Sequence, residues 1–191
     1  MSEASLWTRW KTIHQTANPL PDAPLDIVSK WMLITRSYVF EMDVYAGMIG
    51  MLLALQFIEP NSLMFYDGGI IVVGLILAHA ANNMLNDFFD TLHGVDTKGY
   101  PRTEYGPHAL IDNLISTKGL MIAIFLCNLV DLIIAIYFYQ KVGVEIFYFV
   151  FAGLGISIFY VAKPIRLKNL GLGELAIGLV YGPLMLSLIH I

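Results

Sequence analysis

Charged residues are scarce in this sequence of 191 residues: only 14% are Asp, Glu, Lys or Arg, whereas 57% are hydrophobic. A soluble domain carries about 25% charged residues, so this chain has too little charge to cover a water-facing surface. The net charge of −4 argues against nucleic-acid binding, which needs a positive surface facing the phosphates. Cysteine is almost absent, and Cys127 alone can form neither an internal disulfide nor a cysteine-rich zinc site.

Long apolar runs are abundant after residue 30. The first 30 residues are polar and lack the apolar core and cleavage site of a signal peptide, so we expect an exposed cytoplasmic arm. The remainder, residues 31–191, is predicted to be an all-α, multi-pass transmembrane helical bundle, because each run is near the ~20 residues that cross a bilayer. The five predicted spans are 38–58, 70–93, 120–140, 145–162 and 174–191.

The basic residues are distributed unevenly around these spans. All eleven Lys and Arg residues except Lys141 precede the first span or lie between the second and third or the fourth and fifth. The positive-inside rule therefore places the N-terminus and these two loops in the cytoplasm. We expect the membrane to be the plasma or inner membrane. The fifth span stops at Ile191 without a cap, so we expect the sequence to be part of a longer protein, of unknown oligomeric state.

The second span carries a polar stripe. Its members, spaced three or four residues apart on one helix face, are His79, Asn82, Asn86, Asp90 and His93, with Asn83 and Asp87 alongside. Lipid does not accommodate carboxylates, so the stripe is predicted to face the bundle interior or a wet cavity. Interhelical hydrogen bonding without a ligand is the alternative. The two histidines are interpreted as structural, because hard cations prefer oxygen.

A magnesium site is predicted at the end of this stripe. Asn86 and Asp90 are one helical turn apart, so their oxygens can converge on one ion. Gly94 can adopt the left-handed conformation that turns the chain back and brings Asp96 near. Oxygen ligands without sulfur favour Mg²⁺ bound together with substrate phosphates.

The loop that follows supplies candidate phosphate contacts. Lys98 and Arg102 could hold the phosphates and neutralise a leaving group. Apolar residues at 110, 111, 114 and 115 predict a short amphipathic helix over residues 109–115. That helix could be a lid over the cytoplasmic mouth or could lie in the lipid headgroups.

Residues Asn86 to Asp96, with the sequence NDFFDTLHGVD, resemble the first Asp-rich motif of the UbiA superfamily of intramembrane prenyltransferases. The Gly-x-Asp after Asp90 is similar to the branch that prenylates 1,4-dihydroxy-2-naphthoate in menaquinone synthesis. Further segments resemble the fourth loop and fifth helix of that branch: 160–164, 167–168, 171–175 and 182–184. The resemblance covers roughly Trp31 to Leu184, but Arg36-Ser37 stands where the family often has Arg-Pro.

The resemblance implies a nine-helix, Mg²⁺-dependent prenyltransferase, of which this chain holds five helices and is inactive alone. Its substrates would be a polyprenyl diphosphate and an aromatic acceptor, which we expect to be 1,4-dihydroxy-2-naphthoate. The expected catalytic residues are Asp90, Asp96 and Arg102. The expected metal ligands are Asn86, Asp90 and Asp96. The expected substrate-binding residues are Asn86, Asp87, Lys98, Arg102 and Lys168.

Several alternatives stay open. The acceptor could instead be 4-hydroxybenzoate, homogentisate, a chlorophyllide, haem or a glycerol-phosphate lipid, and a cation or proton transporter could use the same polar stripe. Asn128 and Asp131 share a face of the third span, either as a substrate or proton group or as a buried hydrogen-bonded pair. Glu41 and Asp43 are two residues apart and cannot share a face, so at least one is expected at the membrane interface.

Overall fold

A computed structural model describes residues 4–57 and 59–185, apart from the side chain of Arg102. Within this part of the chain the regular elements are helical, with no strand, which confirms the predicted all-α class. The α-helices are α1 (Leu6–Thr16), α2 (Ile27–Thr35), α3 (Glu41–Ala54), α4 (Ser62–Leu92), α5 (Pro101–Glu104), α6 (Thr117–Val142), α7 (Glu145–Val161) and α8 (Gly173–Leu179). The other helical segments are 3₁₀ turns at Ser37–Val39 and Leu167–Leu170 and a π turn at Val180–Leu184.

Helices α4 and α6 are long and apolar enough to cross a membrane, with 31 and 26 residues. Only 17% of the apolar window of each helix is buried within the described protein, whereas the core helix of a soluble domain is mostly buried. On α6, Phe125 and Ile133 are 63% and 59% exposed. Large apolar side chains in such positions are stable when they face lipid.

The other predicted spans are shorter than the apolar runs that predicted them. Helix α3 has 14 residues and α7 has 17, which correspond to about 21 and 26 Å of helix. The chain enters α3 through the left-handed residue Arg36 and a 3₁₀ turn, which take up the start of the apolar run. In the last run, α8 passes into the π turn that contains Pro183, and residues 186–191 lie outside the described part.

The N-terminal arm is more ordered than the sequence predicts. Residues 1–30 were expected to be an exposed arm, but α1 and the start of α2 lie within them, and Arg9 and Ile13 are buried. The side-chain amide of Asn18 also donates to the backbone carbonyl of Tyr105 at 3.0 Å. The arm therefore contacts the loop that follows α4.

Asp26 caps the N-terminus of α2. Its carboxylate accepts hydrogen bonds from the backbone N–H groups of Val28 and Ser29, the Ser29 hydroxyl and the Trp10 indole. Burial opposes ionisation, but these hydrogen bonds outweigh it and lower the pKa of Asp26 to about 2. The hydrogen bond from the Trp10 indole to Asp26 also links α1 to the start of α2.

Helix α4 is the centre of the bundle and contacts α2, α3, α6 and α7. Near its C-terminal end, Met84 packs in a buried cluster with Ile34 of α2 and Leu120 of α6. Nearer its N-terminal end, Ile71 and Leu75 belong to a second cluster. The two clusters hold the polar stripe of α4 at a defined angle to its neighbours.

The loop after α4 contradicts one prediction. Residues 109–115 form turns rather than an amphipathic helix, and the only helix in the described part of this loop is the single turn α5. The buried ring of His108 explains the difference, because its Nδ1 accepts the N–H groups of Leu110 and Ile111, both at 3.2 Å. Asn113 then adopts a left-handed φ of 55°, which is incompatible with a continuing helix.

Candidate functional site

The polar side chains of α4 point to two neighbouring sides of the helix. Asn82 faces α7, where its Oδ1 accepts a hydrogen bond from the Ser157 hydroxyl at 2.8 Å. Asn83 faces α2, where its amide donates to the carbonyl of Thr35 at 2.9 Å. One helical turn further on, the same division separates Asn86 and Asp90 from Asp87.

The Lys168 group consists of Asn86, Asp90 and Lys168. Lys168 lies in the 3₁₀ turn after α7, and its ammonium donates to Oδ1 of Asn86 at 3.1 Å and to Oδ2 of Asp90. The Asp90 side chain is only 4% exposed, so this ion pair offsets the cost of burying its charge. The two oxygens converge on one positive group, as their spacing in α4 predicts.

The His108 group consists of Arg36, Asp87, Asp96 and His108. Arg36 donates to Asp87, and Nε2 of His108 lies 3.1 Å from Oδ2 of Asp96 and 3.7 Å from Oδ1 of Asp87. The two carboxylates and the imidazole are buried. Gly94 has the predicted left-handed φ, 68°, and the N–H groups of Val95 and Asp96 return to the carbonyl of Asp90.

The predicted magnesium ligands are thus distributed over both groups. Asn86 and Asp90 share Lys168, whereas the side chain of Asp96 bonds to His108. The turn at Gly94 does bring the backbone of Asp96 back to Asp90, but it directs the carboxylate to the other side of α4. The three-residue ligand set stays a prediction.

The two groups differ in how well they fit a cation. One ligand atom each from Asp87, Asp96 and His108 lies within 4.8 Å of the others. However, Nδ1 of His108 accepts two backbone hydrogen bonds, so Nε2 carries the ring hydrogen and has no free lone pair. Asn86 and Asp90 offer only oxygens, already contact one cationic group, and suit a hard ion such as Mg²⁺ better.

The predicted basic contacts in the loop are less defined. Lys98 is exposed and makes no ion pair with another described residue. The side chain of Arg102 lies outside the described part, although its backbone belongs to α5. His108 was not predicted, since a single histidine in a loop has no spacing signal. Arg36 was singled out only through the altered Arg-Pro motif.

A cavity of about 840 Å³ extends from the Lys168 group between the helices. Asn86 lies at one end of its lining, and Ile71 and Phe138 belong to its apolar part. The volume is typical of cavities that bury most of a small ligand. Tyr105 and Gly106, from the loop after α4, also line it, so this loop is part of the cavity wall although it forms no helical lid.

Two pairs of polar residues singled out in the sequence have members with different surroundings or contacts. Asn128 and Asp131 both line the cavity. Asn128 donates to the carbonyl of Ile124 in its own helix, whereas the buried Oδ1 of Asp131 has no hydrogen-bond partner among the described residues. Glu41 is exposed, whereas Asp43 is completely buried. The placement of at least one of them at the membrane interface stays a prediction.

Comparison with known proteins identifies a family. The model of the UbiA prenyltransferase family matches residues 44–189. A protein of Dictyostelium discoideum named UbiA prenyltransferase domain-containing protein 1 is 30% identical over 168 residues. The match covers 86% of this chain and 50% of that protein, so the chain spans about half the length of this curated relative. No solved structure matches the chain.

Proposed function

Because the chain belongs to the UbiA prenyltransferase family, we propose that the complete protein moves a polyprenyl group from a polyprenyl diphosphate to an aromatic acceptor. The observation that supports this most is the position of Asn86, which belongs both to the Lys168 group and to the lining of the apolar cavity. A polyprenyl diphosphate has two matching parts: a charged head, which suits the Lys168 group, and an apolar tail, which suits the cavity. Gly94-Val95-Asp96 after Asp90 favours 1,4-dihydroxy-2-naphthoate as the acceptor.

The diphosphate is proposed to bind at the Lys168 group. Mg²⁺ would be held by Asn86 and Asp90 and would supply charge neutralisation for the diphosphate leaving group. The carboxylate of Asp96, the third expected ligand, bonds to His108 on the other side of α4 and would have to turn toward Asp90 to reach the ion. Lys168 would donate to phosphate oxygens from the neighbouring turn. Lys98 and Arg102 are proposed as additional phosphate contacts from the loop after α4, and Asp87 as a support through Arg36.

The rest of the cavity would control the fate of the donor after its allylic C–O bond breaks. The resulting carbocation reacts readily with water, so an apolar lining raises the fraction captured by the ring carbon of the acceptor. Tyr105 and Gly106 lie at the wall nearest the loop and would restrict water there. The tail would extend toward Ile71 and Phe138.

The test is Asp90→Asn in the complete protein, reconstituted in vesicles with geranylgeranyl diphosphate, 1,4-dihydroxy-2-naphthoate and Mg²⁺. We expect transfer to fall at least about 100-fold, because the variant loses the charge that holds the cation. Asp67→Asn is the matched control, since Asp67 lies on the same helix, is also paired with a lysine, and is remote from the Lys168 group. Transfer by Asp90→Asn at the wild-type rate would contradict the proposal.

The cation and the rival function are tested in the same vesicles. Without donor, Mg²⁺ should raise the melting temperature of the wild type more than that of Asp90→Asn. Proton or cation flux without prenyl transfer would instead favour a transporter. Helix α4 is continuous over 31 residues, whereas transporter binding sites are typically built on interrupted helices.

A further inference from the structure

A third buried polar group lies on the stripe, seven residues before Asn86. His79 of α4 contacts Asp43 of α3, with Nδ1 2.8 Å from Oδ2 of the carboxylate. The Tyr181 hydroxyl, from the π turn after α8, donates to Oδ1 of Asp43 at 3.4 Å and lies 2.9 Å from the same Nδ1. Three segments that are remote in sequence thus meet at one imidazole nitrogen.

These contacts determine where the ring hydrogen lies. A carboxylate can only accept hydrogen bonds, and the Tyr181 hydrogen is already directed to Asp43, so Nδ1 of His79 must be the donor. The neutral ring therefore has its lone pair on Nε2. Nε2 makes no hydrogen bond to any residue in the described part of the chain, and His79 lines the cavity.

The position along α4 is suited to a reaction next to the diphosphate. Seven residues of helix correspond to about 10 Å, the length of a diphosphate plus one aromatic ring in van der Waals contact. His79 and Asn86 also lie on the same polar face of α4. An acceptor ring placed against the first carbon of the donor would thus lie within reach of Nε2.

We propose that His79, oriented by Asp43 and Tyr181, is the general base that removes the hydroxyl proton of the aromatic acceptor. This proposal rests on the proposed prenyl transfer. The proton moves from the acceptor hydroxyl to Nε2, and the oxygen's electrons make the ring carbon nucleophilic. The C–O bond between the first prenyl carbon and the diphosphate breaks, and its electron pair leaves with the diphosphate. The nucleophilic ring carbon then forms a bond with the resulting prenyl carbocation. The ring is left in a neutral ketone form.

Other titratable groups face the same cavity from other elements. They are Arg36 before α3, Tyr38 in the 3₁₀ turn, Tyr105 in the loop, Asp131 on α6 and Tyr160 on α7. Asp131 approaches α4 at Gly74: a Cβ added to Gly74 would lie 3.6 Å from Oδ1 of Asp131. Gly74 is twelve residues before Asn86, which is about 18 Å along the helix. Asp131 is therefore too deep to reach an acceptor beside the diphosphate, whereas His79 is not.

The test is His79→Gln in the complete protein, with the donor and acceptor named above. We expect transfer at neutral pH to fall about 100-fold or more, the usual contribution of a general base. Wild-type transfer should rise with pH and level off, while the variant's should keep rising with hydroxide concentration. His14→Gln is the matched control, because His14 also pairs with a carboxylate of α3, Glu41, but both side chains are about half exposed.

Two further measurements separate catalysis from structural support. Binding of a non-reactive polyprenyl thiodiphosphate should be unchanged in His79→Gln. Ring fluorination makes the acceptor hydroxyl more acidic, so its proton is removed more easily without a base. The ratio of the His79→Gln rate to the wild-type rate should therefore be higher with the fluorinated acceptor than with the unsubstituted one. Equal rates for His79→Gln and wild type, or a ratio that fluorination does not change, would overturn the proposal while leaving prenyl transfer intact.

Asp43 provides a second test, as a positioning residue. If its charge orients and supports His79, Asp43→Glu should retain more transfer than the isosteric Asp43→Asn. A purely structural role predicts the reverse order, because the longer side chain fits a fully buried position less well. The reverse order would therefore overturn the proposal. A wild-type protein that transfers no prenyl group would overturn the proposed function and this proposal together.

Discussion

His108 shows how one side chain organises the region where α2, α4 and the following loop meet. Its Nδ1 closes the turn at Leu110 and Ile111, and its Nε2–H is directed to the buried carboxylate of Asp96. Arg36 forms an ion pair with the other buried carboxylate, Asp87. The imidazole therefore both shapes the loop and binds Asp96.

Replacing His108 by alanine should destabilise the protein by about 3 kcal/mol or more. Asp96 would lose its hydrogen-bond donor while still buried, and removal of one partner from a buried charged pair typically costs about 3–5 kcal/mol. Thermal unfolding in detergent micelles is the measurement. We expect a clear fall in melting temperature.

The control for this prediction removes the charge of Asp96, which is left buried without its donor in His108→Ala. In the double variant His108→Ala with Asp96→Asn, the neutral amide is cheaper to bury, so part of the lost stability should return. If the two substitutions are simply additive, Asp96 does not depend on His108 and the interpretation is wrong.

The same residues show what spacing can predict about a site. Asn86 and Asp90 converge because both lie on one regular helix, where positions four apart are neighbours. Asp96 lies beyond the helix end, and its direction depends on His108, twelve residues later in an irregular loop. No periodicity relates those two positions, so the division of the acids into two groups could not be predicted from the sequence.

At the scale of elements, α3 and α4 approach closely because Gly47 has no side chain. A Cβ built at Gly47 would lie 2.3 Å from Cγ2 of Val72, far inside van der Waals contact. Val72 is β-branched and has little rotamer freedom within a helix. The backbones of the two helices must therefore separate to accept any larger residue.

Gly47→Ala is accordingly expected to lower stability. Overpacking costs about 1–3 kcal/mol, whereas alanine adds at most about 1 kcal/mol of helix propensity. Melting temperature in micelles should fall for Gly47→Ala and recover when Val72→Ala is added. Gly69→Ala is the matched control, since no atom lies within 4 Å of its Cβ position. An equal fall in both single variants would show that the close approach is not responsible.

Element lengths were predicted less well than element type. Apolar runs identify helices reliably, but they continue into turns wherever the turn is also apolar, as at Ser37–Val39 before α3 and Val180–Leu184 after α8. The helix expected over residues 109–115 had the right apolar spacing. It does not form because the hydrogen bonds of His108 compete with those of the helix.

At the scale of the whole molecule, the low charged fraction of the sequence agrees with the apolar surface of the structure. The low fraction of charged residues corresponds to α4 and α6, whose apolar residues are mostly outside the protein core. The ion pairs that involve lysine or arginine lie near the two ends of α4: Asp67 with Lys141 at the start, and the Lys168 and His108 groups at the other end. Asp43 and Asp131 lie nearer the middle of α4, where Asp43 is buried in the protein and Asp131 lines the cavity. This distribution is the one expected when the middle of the bundle lies in hydrocarbon.

The orientation of the bundle in the membrane is the last prediction. Lysine and arginine are rare on one side of the predicted spans, so the loop that contains Lys98 should be cytoplasmic and the loop that contains Glu59 should lie outside. Both residues are exposed, and Cys127→Ala removes the native cysteine. In that background, a membrane-impermeant maleimide added to intact cells should label Glu59→Cys at once, but Lys98→Cys only after the membrane is opened. Labelling in the opposite order would invert the topology and place the Lys168 group on the outer side, away from any diphosphate made in the cytoplasm.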